Sequence, residues 1–251
     1  MNAPAVGLQL YTVRAASLPL DQLLREVAGA GYDGVETVGT QGVEAEQLRD
    51  ALQQNHLAIA SAHVPLQALR RDLDALVRSH QALGTPLLVV PYLDERERPG
   101  DAAGWRAFGR ELGAIGARLR DEGLALAYHH HDFELVGRAG EEPLRQILDA
   151  AAANDLTLEL DTGWLLREGR SPVDWLDAFG PRVTRLHVKD LHSGAAPRWL
   201  DVGDGELDLG ALVEAACEHG VPWLLVEHDD PSDPLVTMRR SASALLAALG
   251  R

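Results

Sequence analysis

Short apolar runs alternate with longer amphipathic segments along the whole chain, and this alternation predicts a sheet of parallel strands connected by helices. Eight runs have the length and composition of buried strands. They are Val6–Tyr11, Asp33–Val38, Leu57–Ala62, Pro86–Pro91, Leu124–His129, Leu156–Asp161, Val183–Val188 and Pro222–Glu227. Each interval between successive runs is long enough for a loop, a helix and a second loop.

The intervals carry hydrophobic residues at helical spacing, and several end in a glycine that suits the position just beyond a helix. The predicted helices are Leu18–Ala30, Glu44–Asn55, Leu66–Leu83, Ala102–Asp121, Glu142–Asn154, Val173–Phe179, Leu209–His219 and Pro234–Leu249. No Ser-, Pro- or Gly-rich linker interrupts the series. We therefore expect one domain over residues 1–251.

Eight β/α units in 251 residues are typical of an α/β fold, the (β/α)8 TIM barrel. A doubly wound open sheet is the alternative. Such a sheet usually has a glycine-rich phosphate-binding turn after an early strand, but here the first strand runs into Gln9-Leu10-Tyr11-Thr12-Val13-Arg14. The barrel is therefore favoured.

The composition is that of a globular protein, with 46% hydrophobic and 24% charged residues. The single cysteine, Cys217, excludes an intramolecular disulfide and a thiolate metal cluster. The formal net charge of −15 opposes nucleic acid as a partner. With no leader pattern and no long apolar run, we expect a cytoplasmic protein with no membrane partner. The oligomeric state is left open.

The predicted strands end in polar residues, which matters because active sites of TIM barrels lie at the carboxyl ends of the strands. The fifth strand leads into Tyr128-His129-His130-His131-Asp132-Phe133-Glu134. The other polar ends are Glu36, Ser61-Ala62-His63, Glu159-Leu160-Asp161, His187-Val188-Lys189-Asp190 and Val226-Glu227-His228-Asp229. Buried carboxylates at such density need a compensating cation. A divalent ion with mixed oxygen and nitrogen ligands, Mn²⁺, Mg²⁺, Co²⁺ or Zn²⁺, is predicted.

Five motifs, in order along the chain, resemble the sugar phosphate isomerase/epimerase family of the xylose isomerase-like TIM barrel superfamily. They are the histidine run at 128–134, Asp161-Thr162-Gly163-Trp164, His187-Val188-Lys189-Asp190, Gly203-Asp204-Gly205 and Val226-Glu227-His228-Asp229; the opening Gly7-Leu8-Gln9-Leu10-Tyr11-Thr12-Val13-Arg14 fits as well. The superfamily includes ketose epimerases, aldose isomerases, inosose and dehydroshikimate dehydratases, enzymes acting on 3-keto sugars and the endonuclease IV group.

The resemblance implies one divalent ion held by Glu134, Asp161, His187 and Glu227. If the fifth strand keeps its pleat, however, His129 and His131 share one face and Glu134 takes the other. A bulge after His131 would bring Glu134 back. Otherwise His129 or His131 is the ligand, because histidines occupy the stretch where ketose epimerases of this superfamily have a glutamate.

The other polar residues at the predicted mouth are assigned to the substrate. Lys189 has the same strand parity as His187 and is predicted to bind a substrate hydroxyl or to stabilise an enolate, with an ion pair to Asp190 or Glu159 as the alternative. His63 and Glu36 are predicted to contact substrate or to hydrogen-bond a ligand residue. Trp164 is predicted to form a wall of the pocket.

These residues predict a metal-dependent isomerase or epimerase of a carbohydrate or polyol-derived carbonyl compound, acting by proton transfer through a metal-stabilised enediolate. Glu134 and Glu227 are the predicted acid and base, supported by His129, His131 and Lys189. The same enediolate could expel a β-hydroxyl, so a dehydratase or lyase on a keto sugar or inosose is the alternative. A phosphodiesterase of the endonuclease IV type and a non-catalytic sugar-binding barrel are the remaining alternatives.

Overall fold

Eight parallel strands close into a barrel in the order β1-β10-β7-β6-β5-β4-β3-β2. A computed structural model of the protein describes residues 3–194 and 196–251. The barrel strands are β1 (Ala5–Gln9), β2 (Gly34–Val38), β3 (Ala58–His63), β4 (Leu87–Val90), β5 (Ala125–His129), β6 (Thr157–Asp161), β7 (Val183–Val188) and β10 (Trp223–Val226). The closed parallel barrel confirms the predicted fold.

The helices lie outside the barrel, where their apolar faces cover the outward side chains of the strands. They are α1 (Leu20–Gly29), α2 (Ala45–Gln54), α3 (Leu66–Arg71), α4 (Leu73–Leu83), α5 (Ala102–Asp121), α6 (Pro143–Asp149), α7 (Thr162–Arg167), α8 (Pro172–Phe179), α9 (Leu209–Glu218) and α10 (Pro234–Ala248). Within the described residues no helix combines the length and the apolar character needed to cross a membrane.

Side chains alternate between the barrel interior and the helix layer, as the pleat requires. On β5, Tyr128 points outward to Phe108 of α5, with ring centroids 5.7 Å apart. Ala127 points inward and packs with Leu87 and Val89 of β4 in a small cluster of its own. His129 has the parity of Ala127, so it continues the interior face at the carboxyl end of the strand.

The lower end of the barrel is closed by Trp223, at the start of β10. Its ring lies so close to Gly34 that a Cβ there would approach the ring to 2.7 Å, and one on Gly7 would come within 3.4 Å of it. A larger residue at Gly34 would displace the ring, because real Cβ contacts are not as short as 2.7 Å, whereas the approach at Gly7 is an ordinary van der Waals contact with the ring. The barrel is therefore open to ligands at its carboxyl end.

Local hydrogen bonds explain where the observed elements depart from the sequence prediction. β1 stops at Gln9, whose side chain accepts a hydrogen bond from the Tyr11 N–H (2.9 Å) and begins a 3₁₀ turn. The predicted helix Leu66–Leu83 is two helices, because Asp72 leaves the helical conformation and caps α4 by accepting from the Ala75 N–H (3.0 Å). Pattern reading treated both polar residues as continuing their element.

Two elements near the barrel mouth have no counterpart in the sequence prediction. Helix α7 begins directly at the end of β6, where the Asp161 carboxylate accepts from the Trp164 N–H (2.9 Å). A short antiparallel hairpin, β8 (Asp190–His192) and β9 (Arg198–Leu200), follows β7. Each is six residues or fewer and lies beside a longer, more regular element, so periodicity alone could not separate it.

Candidate metal centre

Four buried side chains meet at the carboxyl end of the barrel. His129, Asp161, His187 and Glu227 each offer one ligand atom, and these atoms lie within 4.8 Å of one another. The strand register places Asp161 opposite His187, and the interior parity of β5 adds His129. The Nδ1 atom of His187 is 3.0 Å from a Glu227 oxygen and 3.8 Å from Asp161 Oδ2, and Nε2 of His129 is 3.9 Å from the same Oδ2.

A second layer of ionisable residues, Glu36, Glu159 and His63, lies deeper in the barrel and contacts the imidazoles of His129 and His187. Glu36 Oε2 is 2.7 Å from Nε2 of His187, and Glu159 Oε2 is 3.2 Å from Nδ1 of His129. His63 joins the two carboxylates, with its Nε2 at 3.1 Å from Glu36 and 2.8 Å from Glu159. A carboxylate behind a histidine fixes the orientation and tautomer of a metal-binding ring.

Burial and mutual charge shift the pKa values of this second layer strongly. Although burial alone lowers the pKa of His63, the Glu36 and Glu159 carboxylates raise it to about 10. Burial raises the pKa of Glu159 to about 7, with the charge of Glu36 adding to the effect. Burial also favours the neutral acid of Glu36, but His63 and His187 outweigh it and hold the Glu36 pKa well below its usual range. Near neutral pH, His63 is therefore protonated and Glu159 is partly protonated.

The pKa values of Asp161 and His187, in the group of four, are also raised. Burial raises the pKa of Asp161 to about 6, against the opposing charges of Lys189 and His187. Burial lowers the pKa of His187, but the surrounding carboxylates, Glu159 first among them, raise it well above its usual value. A cation placed among these groups would have to displace protons.

Lys189 is the cation that the described structure places beside this centre. Its side chain is 1% exposed, and its Nζ lies 3.1 Å from Glu227, 2.8 Å from Asp229 and 3.5 Å from Asp161. Burial lowers its pKa, but these three carboxylates raise the pKa well above the usual lysine value. The predicted alternative pairing with Asp190 is not made: the Asp190 carboxylate accepts backbone N–H groups of residues 191, 203, 205 and 207.

Glu134 lies outside the group of four, on the other face of β5. Its carboxylate accepts hydrogen bonds from the outward-facing Tyr128 hydroxyl and from the His131 N–H (2.9 Å). Burial raises its pKa to about 8. The predicted return of Glu134 to the interior face is not seen, and the group of four described side chains contains His129 instead.

The three consecutive histidines have three different environments. His129 faces the metal-ligand group. The His130 Nε2 accepts a hydrogen bond from the Asp161 N–H (3.0 Å), which ties the ends of β5 and β6 together, and burial lowers the pKa of His130 to about 4. His131 faces the mouth among aromatic rings, with Tyr92 edge-on at 5.1 Å and Trp164 at 5.1 Å between centroids.

The mouth of the barrel holds a cavity of about 370 Å³. The cavity is lined by Tyr11, Val38, His63, Pro65, Pro91, Tyr92, His129, His131, Glu227 and Asp229. This volume is within the range of small-molecule sites.

Of the predicted substrate-contacting residues, His63 lines the cavity, whereas Glu36 is fully enclosed with its oxygens bound to Gln9, Ser61 and His187. Trp164 lies behind His131, packed against Trp199.

Glu159 belongs to the centre although the sequence analysis assigned it no site role. It lies two residues before Asp161 on β6, and the same parity argument that selected Asp161 would have selected it. Sequence alone does not show that a second set of ionisable side chains lies below the first inside the barrel. A buried charge at that depth is normally excluded.

The model of the xylose isomerase-like TIM barrel family matches residues 24–248. The chain belongs to this family. An inosose dehydratase from Clostridium botulinum is 24% identical over 250 residues, covering 84% of this chain and 83% of that protein. The rhizopine catabolism protein MocC from Rhizobium meliloti is 27% identical, with coverage of 85% and 76%. A crystal structure of a sugar phosphate isomerase/epimerase from Parabacteroides distasonis superposes with a TM-score of 0.82 at 22% identity, covering 98% and 95%.

The xylose isomerase-like barrel described here fits a divalent ion at the group of four. Asp161 Oδ2 is buried and has no hydrogen-bond partner; it lies 3.8 and 3.9 Å from imidazole nitrogens of His187 and His129 and 3.5 Å from the Lys189 ammonium. A buried carboxylate oxygen without a hydrogen bond is costly, and a bound cation would remove that cost. Two imidazoles and two carboxylates suit Zn²⁺, Co²⁺, Fe²⁺ or Mn²⁺ better than Mg²⁺, which prefers oxygen ligands.

Proposed function

We propose that the protein is a divalent-metal-dependent dehydratase of a cyclic polyhydroxy ketone of the inosose class. The observation that carries this proposal is the asymmetry of the mouth. Of the two glutamates predicted as acid and base, only Glu227 lines the cavity, and Glu134 is enclosed behind β5. The carboxylates that line the cavity, Glu227 and Asp229, both follow β10, and this one-sided placement suits chemistry on one face of the substrate. The similarity to an inosose dehydratase over 84% of the chain supports the same reaction.

The residues that would hold the ion are His129, Asp161, His187 and Glu227, with Glu36 and Glu159 orienting the two imidazoles. Bound there, a divalent ion would supply Lewis-acid polarisation of the substrate carbonyl and so lower the pKa of the adjacent C–H.

Glu227 is placed to accept that proton. Burial raises its pKa, but Lys189 and His187 lower it well below the usual glutamate value, so the carboxylate is ionised at neutral pH. We assign it the removal of the proton from the carbon next to the carbonyl. The electron pair of the broken C–H bond then forms the C=C bond as the β-hydroxyl leaves. Glu227 returns the proton to the departing oxygen, and the products are an unsaturated ketone and one water.

Lys189 assists Glu227 in this scheme. Its Nζ lies 3.1 Å from a Glu227 oxygen, so it stabilises the ionised carboxylate before proton transfer. Its aliphatic stem and ammonium pack under two indole rings, with Nζ 5.2 Å from the Trp164 centroid and 4.7 Å from that of Trp199. These rings shield the ammonium from water and strengthen its electrostatic effect.

Epimerisation of a polyhydroxy ketone is the second candidate. His131, after β5, lines the same cavity as Glu227, after β10, and β7 and β6 lie between them in the barrel, so a proton could be returned from a different direction. Burial lowers the pKa of His131 well below its usual value, which leaves the ring neutral. The shared first step is proton removal next to the carbonyl.

A D₂O experiment tests the proposal and separates the two reactions. Metal-loaded protein is incubated with a panel of inososes and ketoses, and the products are followed by NMR. Dehydration predicts an unsaturated ketone from an inosose. A stereoisomer carrying deuterium next to the carbonyl would indicate the epimerase. Neither product with any substrate, after metal loading has been verified, would refute both.

A matched pair of variants identifies the base in the same assay. Glu227→Gln should abolish formation of the unsaturated ketone, and of any deuterated stereoisomer, because an amide cannot accept the proton. Glu134→Gln should retain it, since its carboxyl binds only Tyr128 and the His131 backbone. The opposite result would return the catalytic role to Glu134.

A further inference from the structure

Large apolar side chains that remain exposed are few in the described structure, and most of them surround the same cavity. Five residues of this kind are found: Tyr11, Val38, Tyr92, Val136 and Val236. Three of the five, Tyr11, Val38 and Tyr92, line the cavity at the barrel mouth. Single exposed apolar residues are ordinary, but a contiguous group in a concave site indicates a ligand contact.

Pro65 and Pro91 complete this group, which we call the apolar wall (Tyr11, Val38, Pro65, Pro91 and Tyr92). The wall comes from the ends of β1 to β4 and faces the polar residues of β5 and β10 across one continuous cavity. A ligand whose reacting end lies at Glu227 therefore extends toward the wall. The apolar character of the wall determines which chemical groups that second end of the ligand can carry.

The two tyrosine rings of the wall are already held in place. The Arg14 guanidinium lies 3.7 Å from the centre of the Tyr11 ring, and its Nη2 donates to the Asp229 carbonyl. Tyr92 packs edge-on against His131, and its hydroxyl accepts a hydrogen bond from the Arg98 guanidinium. Rings fixed before binding lose little conformational entropy when a ligand covers them.

We propose that the substrate carries an apolar substituent, aromatic or alkyl, that packs on the apolar wall while its polyhydroxy ketone part occupies the polar side. This proposal rests on the proposed function for the polar end. On a ring with a hydroxyl on every carbon, hydroxyl groups that face Val38, Pro65 or Pro91 would find no hydrogen-bond partner on these side chains. An apolar substituent instead removes exposed tyrosine and valine surface from water. The continuity of the wall with the reacting centre favours part of the substrate, rather than a second chain, as its occupant.

Binding of unreactive ligands tests the substituent without requiring turnover. We suggest pairs of mono-O-methyl and mono-O-benzyl inositols, etherified at each position in turn, titrated calorimetrically into the metal-loaded protein. At least one benzyl ether should bind about tenfold or more tighter than its methyl partner, because the ring buries apolar area on the wall. Equal or weaker binding of every benzyl ether, or no binding of any ether, would overturn the proposal.

Two valines of similar exposure give a matched control. Val38 of the wall is 43% exposed, and Val236, outside the cavity at the start of α10, is 40% exposed. Val38→Ser should cut the benzyl-to-methyl ratio several-fold, whereas Val236→Ser should leave that ratio at the wild-type value. Equal ratios in both variants would show that the preference arises elsewhere and would refute the role of the wall.

The two proposals fail in different ways. If the benzyl preference is seen but no inosose, substituted or not, yields an unsaturated ketone, the wall is retained and the dehydratase is rejected. If an unsubstituted inosose is dehydrated and no benzyl preference is found, the wall proposal alone is rejected.

Discussion

The two sides of the barrel mouth differ in how their side chains are held. On the side of β5, β6, β7 and β10, ionisable groups are buried and joined by short contacts to a second charged layer. On the side of β1 to β4, the wall residues are partly exposed, and among the described lining residues of that side His63 is the one whose side chain can carry a positive charge.

This difference separates two tasks within one site. Charged groups need exact orientation for metal binding and proton transfer, and buried hydrogen bonds supply it at a cost in stability. Apolar surface needs only shape and exclusion of water, so it can remain exposed until a ligand covers it. Variants of the polar side should therefore change rate and metal affinity, and variants of the apolar side should change ligand preference.

The largest expected effect is on the polar side, at Glu227. Replacement by glutamine removes the proposed base and a metal ligand, so the rate of dehydration should fall by roughly 10² to 10⁴-fold or more. Steady-state kinetics with excess metal measures this loss. Glu206→Gln is a suitable control, because Glu206 lies on the surface and binds His192 and Ser193. A loss below tenfold at Glu227 would remove it from the chemistry.

A smaller effect is expected one layer deeper, at Glu36. Glu36→Gln weakens the group behind His187 without touching the ion, so the metal affinity should fall about 10- to 100-fold. Competition with a metal-binding dye measures the affinity. Glu26→Gln, which alters an exposed pair with Arg239, should have no effect. Unchanged affinity in the Glu36 variant would mean that His187 is oriented by other contacts.

Strand parity explains which parts of this centre could be predicted from the sequence. Asp161, His187 and Glu227 end strands whose alternation is regular, so their shared direction could be read directly. Glu134 could not be placed, because it follows β5 by five residues and its direction depends on the conformation of an irregular loop. The resemblance to a family assigned a ligand role to Glu134, whereas the pleat argument left His129 or His131 as the alternative. The group of four side chains contains His129, and its role as a ligand stays a prediction.

The second layer could be predicted only in part from the sequence, and the apolar wall could not be predicted, for different reasons. Glu36 and Glu159 were visible as polar strand residues, but only the closed barrel brings β2 and β6 to the same two histidines. The wall combines residues from loops after four strands, including Tyr11, which sequence periodicity assigned to a strand. The two-residue alternation that predicts strands carries no information on contacts between distant strands or on local turns.

The pH dependence of metal binding gives a third test of the polar side. The pKa of Asp161 is raised to about 6 and that of Glu159 to about 7, both chiefly by burial, so protons compete with the metal below neutral pH. Because folded-state pKa values above the unfolded ones mean that the folded protein binds more protons, the metal-free fold loses this stabilisation as pH rises through these values.

The increase in thermal midpoint on adding metal should therefore be larger at pH 8 than at pH 5. Differential scanning calorimetry at both values, with a chelator as reference, measures the increment. An increment that is larger at pH 5 would contradict the protonation of the centre.

The smallest expected effects concern stability without metal. Asp161→Asn keeps the cap on α7 but removes a buried charge whose pKa is raised, so at pH 8 it should stabilise the metal-free protein by on the order of 1 kcal/mol. Val38→Ser, on the apolar side, should change stability by no more than about 0.5 kcal/mol. Urea unfolding measures both. Destabilisation by Asp161→Asn would show that the carboxylate is satisfied without a cation.

The metal content of two variants from the same short segment tests the central claim most directly. Purified protein reconstituted with Zn²⁺, Co²⁺ or Mn²⁺ should contain about one ion per chain by elemental analysis, because the structure brings one group of two imidazoles and two carboxylates together at the cavity. His129→Ala should lose most of this ion, and Glu134→Ala, if it remains folded by circular dichroism, should keep it. Full occupancy in the His129 variant together with loss in the Glu134 variant would contradict the centre described here.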